Sequence, residues 1–159
     1  GARQGCYRLF DSGFEITVED PFYITYDELM GTMQVTIPDE PAFQAYIYYD
    51  PTGQTMDQLE SSIKTLEESY EDDPTVSNMQ TQVDEQENGL FSISFSYSAG
   101  ATEGSPAGFY FIHYQKTQEG LLTANIYSDR ASNSEAIQRL VSTIQLETEN
   151  AQDYPTGQE

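Results

Sequence analysis

The chain is poor in positive charge, in cysteine and in histidine, and it has no long apolar run. Six Lys and Arg stand against 27 Asp and Glu over 159 residues, a net charge of −21. Affinity for nucleic acid comes largely from cationic side chains that neutralise phosphates, so nucleic acid is excluded as a partner. Anionic lipid surfaces are disfavoured on the same ground. Acidity of this strength attracts basic partners or divalent cations, and in its plainest reading it keeps the surface soluble. The single cysteine, Cys6, rules out an internal disulfide and a cysteine-based metal site. With one histidine, His113, the set is too small for a zinc centre. No apolar stretch reaches the ~18 residues of a membrane-spanning helix, and the opening Gly1–Cys6 has no apolar leader. Gly5-Cys6 invites a lipid-attachment reading, but Arg3 stands where such a motif needs an apolar residue, so a plain thiol is expected.

Strong apolar residues are also scarce. Leu, Ile, Val and Phe make up 32 of the 159 residues, which with the charge excess borders on the composition of disordered chains. Their placement argues for order. Phe91, Ile93, Phe95 and Tyr97 alternate with serines over Leu90–Tyr97, Gly108–Gln115 is apolar or aromatic on both faces, and Leu121–Tyr127 follows. Period-two alternation of this quality marks strands. Further strands are expected over 7–18, 33–37, 43–49 and 76–83, with a short helical turn over 22–30. Two helices are marked by Thr55-x-x-Gln58 before Met56–Tyr70 and by Ser132-x-x-Glu135 before Ile137–Ile144, each a capping-box spacing. The expected whole is an α+β domain over 1–147, an antiparallel sheet flanked by helices, followed by a polar, mobile tail over 148–159.

Little in the sequence carries chemistry. His113 shares a strand face with Phe109 and Phe111, which suits a packed or hydrogen-bonded histidine; no nucleophile elbow accompanies it. The acids of 67–73 and 84–87 lack the spacing of a calcium loop and read as solvated faces. The Gly100–Gly108 stretch lacks the lysine of a phosphate-binding loop and reads as a flexible connection. The candidate ligand contacts are His113, Tyr110 and Tyr114 on one strand and Glu103 in the loop beside it. No metal and no cofactor are implied. The tyrosines of 46–49, 110, 114 and 127 would make a protein- or carbohydrate-binding patch if exposed; with helices on both faces they fill the core, which is the expectation.

The order of elements from Phe43 onward resembles the PsbP-like fold. Phe43–Tyr49 leads into helix Met56–Tyr70, then Val76–Val83, then Leu90–Tyr97 after Asn88-Gly89. Gly120–Tyr127 leads into Ser132–Ile144 and the closing Ile144-Gln-Leu146. The resemblance implies a PsbP-like α/β/α sandwich shared by photosystem-associated proteins, a Ran-binding import factor family and exported bacterial lipoproteins, mostly non-enzymatic adaptors. No functional residue transfers with it. The scarcity of lysine beside abundant Gln, Thr, Ser, Asn and Tyr fits the exported bacterial group. The expected function is a non-enzymatic extracytoplasmic binding or adaptor domain of a secreted or surface-anchored bacterial protein, with a protein or cell-envelope component as partner. A small-ligand or cation-binding module is the alternative, and a hydrolase built on His113 the third reading.

Overall fold

Alternation of apolar and polar residues dominates what forms. The computed structural model describes residues 1–154. Ten strands and two helices make up the fold: β1 (Gly5–Arg8), β2 (Phe14–Val18), β3 (Tyr23–Asp27), β4 (Thr32–Thr36), β5 (Gln44–Asp50), α1 (Met56–Glu71), β6 (Val76–Glu85), β7 (Phe91–Ala99), β8 (Gly108–Lys116), β9 (Leu121–Ser128), α2 (Ser134–Ser142) and β10 (Gln145–Leu146). Seven strands form an antiparallel sheet in the order β3-β4-β5-β9-β8-β7-β6, and a smaller sheet runs β1-β2-β10. The stretch expected to turn as a short helix is instead strand β3, paired with β4 from Tyr23↔Thr36 to Asp27↔Thr32. Its burial of Ile24 against the main core outweighs the local capping signal.

The centre of the large sheet is the three-strand stretch with the clearest alternation. β7 pairs β8 with Phe95 opposite Ile112, and β8 pairs β9 with Ile112 opposite Asn125. Register fixes the faces. Phe91, Ile93 and Phe95 of β7 turn to the side carrying α1, where Leu59 and Ile63 meet them in a small core. Phe109 and Phe111 of β8 turn to the opposite side, into the main core with Ile137, Leu140 and Val141 of α2.

Each helix covers only half of its face. α1 lies over β6 and β7, while α2 and the small sheet pack on the other side of the molecule within the core built on β3, β4, β5, β8 and β9. The two covers are therefore offset diagonally. Two half-faces stay open: the α1 side of β5, β9 and β8, and the α2 side of β6 and β7.

α1 starts as its sequence predicts. The Thr55 Oγ1 accepts from the Gln58 N–H at 3.2 Å, and the Gln58 side chain accepts from the Thr55 N–H at 2.9 Å. The second expected box does not form. A single 3₁₀ turn at Ala131–Asn133 precedes α2, and the Asn133 amide instead donates to Glu40 and to the Ser128 hydroxyl.

Residues from Thr148 were expected to be a mobile tail, and through Tyr154 they are docked. The Gln152 N–H donates to the Cys6 carbonyl at 3.0 Å and its carbonyl accepts from Arg8 N–H at 2.9 Å, lengthening the small sheet by one bridge. Tyr154 lies 4.6 Å from the Tyr26 ring and 6.0 Å from Phe10. The physical reason is a buried anchor, Glu15, which the tail satisfies. Residues 155–159 lie outside the described part of the chain.

Candidate functional sites on the two open half-faces

The four residues singled out from the sequence do not converge. β8 alternation sends His113 to the α2 side and Tyr110 and Tyr114 to the α1 side. Glu103 sits exposed at the tip of the 100–107 loop, where Thr102 and Ser105 bond each other across a tight turn. It lines neither open half-face.

The open half on the α1 side is aromatic. Helices do not cover it, so the expectation that the tyrosines fill the core is corrected for Tyr46, Tyr48, Tyr110 and Tyr127, while Tyr49 and Tyr114 do pack against the two cores. Tyr46 and Tyr48 of β5 remain 36% and 38% exposed. Tyr127, Tyr110, Tyr97 and Tyr70 continue the row toward α1 and line a groove of about 250 Å³ with Leu66 and Asn125. Tyr97 and Tyr110 stack at 5.1 Å with ring planes 10° apart, Tyr110 meets Tyr127 at 5.0 Å, and Tyr97 meets Tyr70 at 4.7 Å. Their hydroxyls are held. Tyr110 donates to the Pro106 carbonyl, Tyr127 to the Ala107 carbonyl at 2.6 Å, Tyr70 and Tyr97 share a 3.3 Å bond, and Asn125 donates to Tyr48 at 3.2 Å. The 98–107 loop thus serves as the edge that fixes the rings. Gly108 makes room for this: its φ is +155°, and a Cβ there would clash with the Ser128 carbonyl and lie 2.8 Å from the Tyr127 ring. Burial pushes the pKa of Tyr97, Tyr110 and Tyr127 above the ordinary tyrosine value, so these three rings stay neutral at pH 7. Tyr70 and Tyr97 were not foreseen as members; only the packing of α1 brings them in.

The open half on the α2 side is polar. Ser92, Ser94 and Ser96 of β7 face it beside Gln80 and Gln82 of β6, and Gln138 and Ser142 of α2 close one wall over a cavity of about 320 Å³. His113 lies at its inner end, 7% exposed. Its Nδ1 sits 2.7 Å from the Ser94 Oγ. Burial pushes the imidazole down to about 4, so the ring is neutral at pH 7. Gln115 beside it is 1% exposed, its amide donating to the Phe91 and Lys116 carbonyls and to Gln86.

Ser94 and His113 are spaced like a nucleophile and its base, yet the pair is not furnished for that work. A general base works best with a pKa near the working pH, and this ring lies well below it. Among the described residues no carboxylate hydrogen-bonds the ring to orient it, as a triad requires. Among the described residues no group of three His, Cys, Asp or Glu is arranged to hold a metal, and no helix is long and apolar enough to cross a membrane.

Cys6 and Glu15 are structural. The Glu15 carboxylate is 2% exposed. It accepts from the Cys6 thiol at 3.0 Å, the Gln145 amide at 3.1 Å, and both the N–H and hydroxyl of Thr148 at 2.6 and 2.7 Å. Burial opposes its charge, but these bonds outweigh burial and lower it to about 2. The same burial and the neighbouring carboxylate push the Cys6 thiol up, the opposite of a reactive cysteine.

No family model matches the sequence, and no curated protein matches it. Among solved structures, the chain is similar to cyanobacterial PsbP (CyanoP) from Synechocystis sp. PCC 6803, determined in solution. The identity is 11%, the match covers 92% of this chain and 94% of that one, and the TM-score is 0.54. The chain has a PsbP-like α+β fold. At this identity the likeness speaks for the fold alone.

Proposed function

We propose that this is a non-enzymatic extracytoplasmic binding or adaptor domain of a bacterial surface or secreted protein, and that it grips a protein partner through the tyrosine row. The observation that carries the reading is the contrast between the two open half-faces. A solvated sheet surface ordinarily presents side chains such as serine and glutamine, as the β6–β7 half does. The other half presents tyrosines, with the hydroxyls of Tyr48, Tyr70, Tyr97, Tyr110 and Tyr127 in hydrogen bonds and the rings of Tyr46 and Tyr48 36% and 38% exposed. Tyrosine offers large contact area with few rotors to immobilise, and it is enriched among the residues that dominate binding energy. The neutral lining and the charge of −21 favour a partner surface that is neutral or basic. The lysine-poor composition and the PsbP-like fold support export.

Photo-crosslinking in the native host tests the site. A benzophenone side chain at Tyr46 or Tyr48 should capture one defined protein, and the same group at Val83, exposed on β6, should not. Tyr46→Ser with Tyr48→Ser should weaken that association at least tenfold, at about 1–2 kcal/mol per ring. Both rings are substantially exposed, so the melting temperature should hardly move. Equal capture from Val83 defeats the reading. Fractionation of the product of the complete gene tests location; a purely cytosolic product overturns that half of it.

A further inference from the structure

We propose that the cavity between β6, β7, β8 and α2 is a second, independent binding site, for a small neutral polyhydroxylated molecule of one or two sugar rings, with His113 and Ser96 as its innermost contacts. The rim of Gln80, Gln82, Gln138 and Ser142 is exposed like the rest of this sheet half, and only the inner end of the cavity is enclosed. His113 is nine-tenths buried, Ser96 is 5% exposed, and α2 places Gln138, Val141 and Ser142 opposite them. The His113 Nε2 has no hydrogen-bond partner among the described residues, since its one bond is made by Nδ1 to Ser94. Nε2 is not among the buried atoms left without a partner; it opens onto the cavity, where a ligand hydroxyl can reach it.

The lining selects the chemistry. Amides of Gln80, Gln82 and Gln138 and the serine hydroxyls each donate and accept, as a ligand bearing several hydroxyls requires. No Lys or Arg lines the cavity, so an anion finds no counter-charge in a protein already at −21. Asp84 is the only ionised side chain in the lining, and one exposed carboxylate is too little for a dehydrated cation. Phe111, Val141 and Ile144 supply an apolar wall suited to the C–H face of a ring. A volume of about 320 Å³ stands at the small end of ligand sites, which run from about 300 to 1,000 Å³. The 98–107 loop, which carries the candidate contact Glu103, takes no part; α2 forms the wall.

His113 is the only histidine, so its ring ¹⁵N resonances are an unambiguous reporter. Glucose, galactose, N-acetylglucosamine, maltose and myo-inositol would be titrated at pH 7, with inorganic phosphate and calcium chloride as the charged comparison. At least one neutral compound should shift the Nε2 resonance saturably. Gln138→Ala, on the exposed side of α2, should weaken that response several-fold with the fold unchanged by circular dichroism. Ser96→Val, which fills the inner end, should weaken it at least tenfold. The inference is overturned if no neutral compound shifts Nε2, if phosphate or calcium does so instead, or if both variants leave the response intact. Tyr46→Ser with Tyr48→Ser should not alter it, so this site and the tyrosine row stand or fall separately.

Discussion

Two buried titratable side chains give the molecule two separate sensitivities to acid. For His113 the folded-state value near 4 lies below the ordinary 6.5. The unfolded chain therefore binds the proton first, and stability is lost as pH falls from about 6.5 toward 4, then changes no further from this group. For Glu15 the folded-state value near 2 lies below the ordinary 4.5. Its contribution is complete above about 4.5 and is lost as pH falls through 2. Urea melts at pH 7, 5.5, 4 and 2.5 should resolve the two windows. His113→Gln should flatten the upper one and leave the lower. Glu15→Gln should cost about 2 kcal/mol at pH 7, because a buried acceptor of four bonds becomes a poorer one, and should flatten the lower one. An upper window that survives His113→Gln would place the proton elsewhere.

At the scale of elements, the segment after β10 behaves as part of the small sheet, and a truncation checks it. Ending the chain at Glu147 removes the Thr148 donors to Glu15, the Gln152 bridge to β1 and the Tyr154 ring on Tyr26. The loss should be about 2–4 kcal/mol by chemical denaturation. It should be less than additive with Glu15→Gln, since both remove the same bonds. Nothing in the sequence announced this docking. Thr148–Tyr154 has no periodicity, and its partner lies more than 130 residues away. Elements written in local patterns were legible: the Thr55–Gln58 box, the Asn88-Gly89 hairpin with Asn88 at φ +60°, and the alternation of β7 to β9. Failures came where a distant contact outbid a local one, as when Ile24 drew its segment into β3, and where Ser132, expected to cap α2, fell inside the 3₁₀ turn before it. The site was half legible for the same reason. Alternation places Tyr110 and His113 on opposite faces of one strand, yet only the offset of the two helices decides which face is open.

At the scale of the whole molecule, that offset and the net charge act together. Each helix shields one half-face, and the tyrosine row is the aromatic half that remains, set in a chain carrying −21. The surrounding potential should draw cations toward the row and keep anions off it, over a range set by the Debye length. The chain has no tryptophan, so its near-ultraviolet emission comes from its twelve tyrosines. At low salt, caesium should quench that emission well and iodide poorly. In about 0.5 M salt the two should converge, because screening shortens the field to a few ångströms. Tyr46→Ser with Tyr48→Ser should remove much of the fraction open to caesium, since these rings are the most exposed of the row. Equal quenching by both ions at low salt would mean that the acidic surface is turned away from the tyrosines. A basic partner would then gain nothing in association rate from the charge; with the asymmetry present, its association should slow steeply as salt rises.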